Sequence, residues 1–389
     1  MKKRLIKLFL PLCLLLLLAA CITPPAPPLM LEAEAVILSP GRDANEMQIS
    51  FQLAEHTGGV FVHYALVASG PQESFTPGIA AASALAGPDG SFTAVMTGLF
   101  PGRTYEYQIC DDKGRTDWYS FVSATSGPSR TVFMSDTQAD PDLGSYEDWG
   151  RLLAQAVSSA PDLLLLGGDL VNDRTDMDEW GRFFRAANGI FSRLPMAAAV
   201  GNHDNSHFFA PPRNGPTGFP GFYSFDYGNA HFIFLDSNLM GNAGYAPALT
   251  AWLENDLQNA ETQAWKIVVQ HHPYYPASES PKDEQRAETL RQFYLPILEA
   301  HGVDLILCGH QHAYTRTVPL LAGAAASGGV VQVMASSGVK HYIFEDYDYF
   351  AAGLGNTAVY VELNYDDNLF SLLAKDGEGR VVDEYEIRR

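Results

Sequence analysis

Five short polar clusters each follow an apolar run, and each carries side chains that bind cations or move protons. Thr131–Met134 leads into Ser135-Asp136-Thr137-Gln138, and Leu163–Leu166 into Gly167-Gly168-Asp169. Ala197–Val200 leads into Gly201-Asn202-His203-Asp204, and Trp265–Gln270 into His271-His272-Pro273. Asp304–Cys308 leads into Gly309-His310-Gln311-His312. In this last cluster the glycine permits a sharp turn. The alternate side chains of His310 and His312 can then converge on one point, and imidazole is a common ligand for borderline metal ions. Taken singly, each cluster has a plain structural reading: turn aspartates, a turn asparagine, histidines capping a strand. Taken together they all end apolar runs that read as buried strands. Ligands of open α/β sheets gather at the carboxyl ends of strands, so strands lying side by side would bring the five clusters into one crevice.

The chemistry such a crevice supports is that of two metal ions. Asp169 offers two carboxylate oxygens and can bridge a pair of cations. Asp136 and His312 then hold one ion, and Asn202, His271 and His310 hold the other. Mixed oxygen and nitrogen ligation suits Zn²⁺, Mn²⁺ or Fe. Two ions about 4 Å apart can clamp a phosphoryl group and hold a hydroxide at neutral pH for in-line attack. His203 adjoins a ligand without being needed as one, and is placed to stabilise the transferring group or protonate the leaving group.

The elements around these clusters define the organisation. Met1-Lys2-Lys3-Arg4 followed by the leucine-rich stretch to Leu18 reads as an export signal over residues 1–20, with an apolar run too short for a comfortable membrane span. Leu18-Ala19-Ala20-Cys21 resembles the bacterial lipoprotein signal, which implies acylation of Cys21 and attachment to a bacterial membrane, at the outer membrane, periplasm or cell surface. Residues 21–33 are proline-dense and read as an extended tether. From 34 to 125 short runs alternate with period two, among them Met47–Leu53, Val60–Leu66, Ser91–Met96, Tyr105–Cys110 and Trp118–Val122, which predicts a small all-β sandwich. From 126 to 389 strands alternate with helical patterns, which predicts an α/β domain. Helices are expected around Trp149–Val157, Trp180–Ala187, Leu249–Leu257 and Glu284–Ala300. Ser206–Phe222 reads as a long loop on the site's rim, and His231 as a packed histidine. Cys110 and Cys308 are expected as buried free thiols rather than a disulfide. A formal charge of −20 argues against a nucleic-acid duplex as partner.

The ordered set Asp136-Thr137-Gln138, Gly168-Asp169, Gly201-Asn202-His203-Asp204, His271-His272-Pro273 and Gly309-His310-Gln311-His312 resembles the calcineurin-like metallophosphoesterases. The preceding β-sandwich, with Leu99–Tyr105 similar to a fibronectin type III corner, resembles the purple acid phosphatase branch. So do Tyr223–Asn229 and His312-Ala313-Tyr314. The resemblance implies two packed β-sheets flanked by helices, a dinuclear site of divalent ions (Mn, Zn or Fe) and phosphoester hydrolysis. It matches His271, rather than His272, to the metal ligand. Two positions depart from it. Gln138 stands where most of the superfamily has histidine and purple acid phosphatases have glycine; it is a weak amide ligand or a substrate contact. Asn172 stands where purple acid phosphatases carry a metal-bound tyrosine, so a colourless protein is expected. The implied partner is a phosphorylated small molecule or an exposed phosphoester, with phosphomonoesters favoured over diesters or nucleotides. Two other functions remain open: a cell-surface binding protein with a degenerate site, and an adhesin whose active part is the β-sandwich.

Overall fold

The computed structural model describes residues 29–67, 79–87, 90–140, 142–204 and 215–389 of the chain. The expected signal at 1–20, Cys21 and the tether as far as residue 28 lie outside the described residues, as do residues 205–214 of the rim loop.

The N-terminal unit is two facing antiparallel sheets. Glu34–Pro40, Met47–Gln52, Ser91–Met96 and Leu85–Ala86 form one; Ala80–Ser83, Phe61–Leu66, Thr104–Cys110 and Tyr119–Val122 form most of the other. The period-two pattern does what it predicts. Phe92, Ala94 and Met96 turn inward, as do Val62 and Tyr64 on the facing sheet. The Tyr105 hydroxyl accepts the Phe100 N–H at 2.9 Å, which closes the corner between them. One expectation fails. Leu29 and Met30, read as tether, pair in parallel with Gly114–Arg115 and satisfy part of that open edge.

In the second unit, strands and helices are numbered from residue 129. Strands β1 (Ser129–Met134), β2 (Leu163–Leu166) and β3 (Met196–Ala198) run parallel. They share a sheet in the order β3-β2-β1-β11-β12-β13 with β11 (Val359–Tyr365), β12 (Leu369–Asp376) and β13 (Val381–Arg388). The second sheet runs β4-β5-β6-β7-β9-β8-β10. Its members are β4 (Tyr223–Tyr227), β5 (Ala230–Leu235), β6 (Trp265–Gln270), β7 (Leu305–Cys308), β8 (Tyr314–Thr317), β9 (Val331–Met334) and β10 (Phe350–Leu354).

Both faces of β1, β2, β3, β6 and β7 are buried, which is why they read as unbroken apolar runs. Phe133, Leu163 and Leu165 face Ile267, Val269, Leu305 and Leu307 between the sheets. Their neighbours Val132, Met134, Leu164 and Leu166 face outward under α1 (Tyr146–Val157) and α2 (Met177–Ala186), against Trp149, Leu153, Trp180 and Phe183. Ile233, Val268 and Ile306 lie likewise under α3 (Ala246–Asn259), α4 (Pro281–Phe293) and α5 (Leu295–Ala300). Each such large side chain contributes about 1.5–3 kcal/mol by leaving water. The helix expected over 284–300 is two helices, broken at Tyr294, where Pro296 lacks the N–H needed to continue. Cys110 and Cys308 are buried and free, as expected.

The strands bearing the five clusters do not lie side by side in one open sheet. β1, β2 and β3 belong to one sheet and β6 and β7 to the other. The clusters meet because the packed sheets place the carboxyl ends of all five strands at the same end of the sandwich.

Candidate metal centre

At that end the strand termini are stitched together by main chain. Asp136 N–H donates to the Gly168 carbonyl at 3.0 Å, and Gly309 N–H to the His271 carbonyl at 3.0 Å. Each of these bonds lies within one sheet. His310 N–H crosses between sheets, donating to both oxygens of Asp136 at 2.9 Å. A Cβ on Gly309 would sit 2.1 Å from Asp136 Oδ2, so only glycine permits this approach.

Asp136, Asp169, His310 and His312 all have positive φ, at 52°, 51°, 79° and 48°. Non-glycine residues enter that region at a cost of about 1–3 kcal/mol each, and such strain collects where geometry serves a site.

The side chains converge. Donor atoms of Asp136, Asp169 and His271 all lie within 4.8 Å of one another, and the same holds for His271, His272 and His310. His312 Nε2 is 3.7 Å from Asp136 Oδ1. Gln138 Nε2 is 3.3 Å from His312 Nε2. Asn202 sits exposed on its turn, next to His203, whose N–H donates to Asp169 Oδ1 at 2.9 Å.

Each of three imidazoles spends one nitrogen on a group that only accepts. His271 Nδ1 faces the Gly167 carbonyl at 3.0 Å, His310 Nε2 faces Asp283 Oδ1 at 3.1 Å, and His312 Nδ1 faces the Lys340 carbonyl at 3.2 Å. The proton must lie on that nitrogen, which leaves a lone pair on His271 Nε2, His310 Nδ1 and His312 Nε2. This is the arrangement that orients metal-binding histidines. His271 Nε2 is fully buried without a hydrogen-bond partner, although Asp169 Oδ2 lies 3.1 Å away. His272 is engaged otherwise: Arg286 Nη1 stands 2.9 Å from its Nε2 and the Ser237 hydroxyl 2.8 Å from its Nδ1. Burial and the neighbouring cations hold it neutral.

Electrostatics points the same way. Burial drives Asp136 up to about 7, with His271 opposing and Asp169 adding. Burial also works against charge on Asp169, but His271 outweighs it and holds that carboxyl below the usual range. Burial opposes protonation of His271, and the Asp169 carboxylate overcomes it, raising the ring to about 9, so without a cation a proton takes the Nε2 position that a cation would otherwise claim. Two buried carboxylates this close demand positive charge beside them. The donor set therefore fits divalent cations.

Sequence reasoning passed over three participants. Asp204, read only as part of its motif, is buried and accepts the Leu170 N–H at 2.8 Å and the Gly201 N–H at 3.0 Å, tying β2's turn to β3's. Asp283, in the first turn of α4, holds His310. Lys340 donates to Gln138 Oε1 at 3.2 Å and to Asn172 Oδ1. Asp204 could have been found from its place beside His203. Nothing local marks the other two.

Residues 129–314 match the calcineurin-like phosphoesterase family, over β1 to the start of β8. The chain carries a calcineurin-like phosphoesterase domain. Residues 33–123 match the purple acid phosphatase N-terminal domain, so the calcineurin-like domain here follows the partner it has in that branch. A probable purple acid phosphatase 20 of Arabidopsis thaliana is 26% identical over 245 residues, covering 58% of this chain and 56% of that protein. An uncharacterized protein of Mycobacterium tuberculosis is 27% identical over 277 residues, covering 58% and 50%. The chain spans about half the length of the curated relatives it matches. In fold, a purple acid phosphatase from yellow lupin seeds superposes with TM-score 0.73 at 18% identity, covering 92% of this chain and 75% of that one. A structure of PhoD gives 0.65 at 14% identity, covering 94% and 90%.

Proposed function

We propose that this chain is a metal-dependent phosphoester hydrolase, favouring phosphomonoesters, that is exported and anchored to a bacterial membrane through lipid on Cys21. The observation that carries the catalytic part is the buried convergence of Asp136, Asp169 and His271 within 4.8 Å, with His271 Nε2 turned toward the two carboxylates and without a hydrogen-bond partner. Asp169 would serve both cation positions; Asp136 and His312 would complete one, and Asn202, His271 and His310 the other. When bound, two divalent ions supply Lewis acidity and acidify a water.

The chain's own groups do the rest. Asp283, the Gly167 carbonyl and the Lys340 carbonyl hold three imidazoles in the tautomer that offers a lone pair. His203 Nδ1 lies 2.7 Å from the Asn172 carbonyl, so the proton sits there and Nε2 is left to exchange a proton with the ester oxygen. With Asn172 in place of a phenolate, the metal-loaded protein is expected to be colourless.

The test is elemental analysis of protein purified without added metal, together with hydrolysis of p-nitrophenyl phosphate and its bis ester. Bound metal and metal-dependent monoester turnover support the reading. A chain that binds no metal and hydrolyses neither ester overturns it. A second reading, a surface binding protein of the same fold, draws on the lysine that covers Gln138 and Asn172. Two bound ions with no turnover of either ester would favour it.

A further inference from the structure

Lys340 is built into the centre. It lies on the segment after β9, which is fixed along its length. Ser337 N–H donates to the Ser135 carbonyl at 2.7 Å, and Ser337 Oγ to the Val359 carbonyl at 2.8 Å. A Cβ on Gly338 would meet the Asp136 carbonyl oxygen at 2.2 Å, so this backbone rides directly on the Asp136–Gln138 turn. Beyond the lysine, Tyr342 N–H donates to the His312 carbonyl at 2.9 Å. The half-buried Lys340 side chain then reaches Gln138 Oε1 at 3.2 Å and Asn172 Oδ1. Asn172 is itself held, since its Nδ2 donates to the Ala139 carbonyl and, at 2.9 Å, to Glu179 Oε1.

Two consequences follow for the Asp136/His312 end. First, the neutral amide oxygens nearest that end are occupied by an ammonium and are lost as ligands. With Oε1 tied to Lys340, Gln138 turns its NH₂ toward His312 Nε2, at 3.3 Å, presenting a donor where a metal needs an oxygen. Second, a fixed positive charge stands beside a position meant for a dication, and in a half-buried site that repulsion is poorly screened. At the His271/His310 end a cation is also present, since Arg286 Nη1 stands 2.9 Å from His272 Nε2, but there the Asp283 carboxylate, 3.1 Å from His310 Nε2, offsets it.

We propose that Lys340 makes the two cation positions unequal: the His271/His310 position holds its ion tightly, and the Asp136/His312 position holds its ion weakly and exchanges it. This rests on the dinuclear reading above and adds to it a dependence of full occupancy on the surrounding metal concentration.

The test is calorimetric titration of the chelator-stripped chain with Mn²⁺ alone, for wild type, Lys340→Met and Lys340→Arg. Wild type and Lys340→Arg are expected to show two classes of site differing by about tenfold or more, and Lys340→Met to tighten the weaker class by about tenfold while leaving the tighter one unchanged. A readout that needs no variant is dialysis of the loaded wild type against a weak chelator, after which one ion per chain should remain. Two equivalent sites in wild type, retention of two ions, or a folded Lys340→Met whose weaker class is unmoved or weakened would each overturn the inference. If those results come with intact phosphoester hydrolysis, the enzyme reading stands and only this inference falls. Uptake of no Mn²⁺ by any form removes the dinuclear reading as well.

Discussion

Asp169 and Asp283 affect the centre in different ways. Asp169 is buried, lies 3.1 Å from His271 Nε2 and has an oxygen within 4.8 Å of one on Asp136, so it is within reach of both halves of the ligand set. Asp169→Ala removes the carboxylate placed to serve both cation positions. Elemental analysis should find both ions lost, and turnover should fall to background. Retention of either ion with measurable activity would contradict the bridging role. Asp283 never enters the ligand set. Burial opposes its charge, but the hydrogen bond from His310 outweighs it and holds it at about 2, so it is a carboxylate at any working pH. Asp283→Asn keeps the shape and removes the charge that makes His310 a stronger ligand. Loss of such an outer carboxylate typically costs about 10–100-fold in metal affinity or activity. Excess metal should restore much of that loss in kcat/KM, which distinguishes a ligand-orienting group from one that acts on substrate. No rescue by metal would show that Asp283 has some other role.

At the level of elements, the hairpin of β4 and β5 carries a charge pair that makes stability depend on pH. His231 on β5 lies between Asp226, 2.6 Å from its Nδ1, and Asp256 of α3, 3.0 Å from its Nε2. Burial opposes the imidazolium, but the two carboxylates outweigh it and raise the ring to about 9. The folded value exceeds the 6.5 of a free ring, which stands for the unfolded chain. The contribution is therefore complete below about pH 6.5 and is lost as pH rises through about 9. With Asp226 half-exposed, it is on the order of 2 kcal/mol. Denaturant melts at pH 6 and pH 9.5 should differ by that amount in wild type and much less in His231→Gln; equal pH dependence in the two would refute the assignment. His231 also illustrates what sequence makes legible. A histidine inside an apolar strand reads as packed, and it is. The five cluster-bearing strands are equally plain, because burial on both faces leaves a continuous apolar run. Their division between two sheets is not plain, since a buried strand's own pattern does not encode its hydrogen-bond partner. Asp283 and Lys340 are hidden for a related reason. They lie 27 and 28 residues from the histidines they orient, on a helix turn and a loop whose composition is ordinary. Only tertiary packing gives them a role.

For the whole molecule, the question is whether the β-sandwich is an independent module. Its packing says otherwise. Ile37 of the N-terminal sheet is fully buried in the cluster that holds Trp149, Phe183 and Phe191 of the calcineurin-like domain. Tyr107, also fully buried, donates its hydroxyl to the Ser192 carbonyl at 2.7 Å across the same boundary. A domain tethered for adhesion alone could be cut away without harm to its neighbour. One that shares a core cannot, because removal exposes Phe191 and leaves the Ser192 carbonyl without its partner. Tyr107→Phe isolates the second effect. It should lower stability by about 1–2 kcal/mol, the cost of an unsatisfied buried acceptor, with kcat/KM unchanged because no group of the centre touches it. Deleting residues 29–125 adds the first effect. The remaining domain should melt well below the full chain and lose soluble yield, and its hydrolytic activity should fall with the folded fraction. If the truncated chain instead melts at the full chain's temperature and keeps its activity, the sandwich contributes nothing to the stability of the calcineurin-like domain, and the adhesin reading gains what the structural one loses.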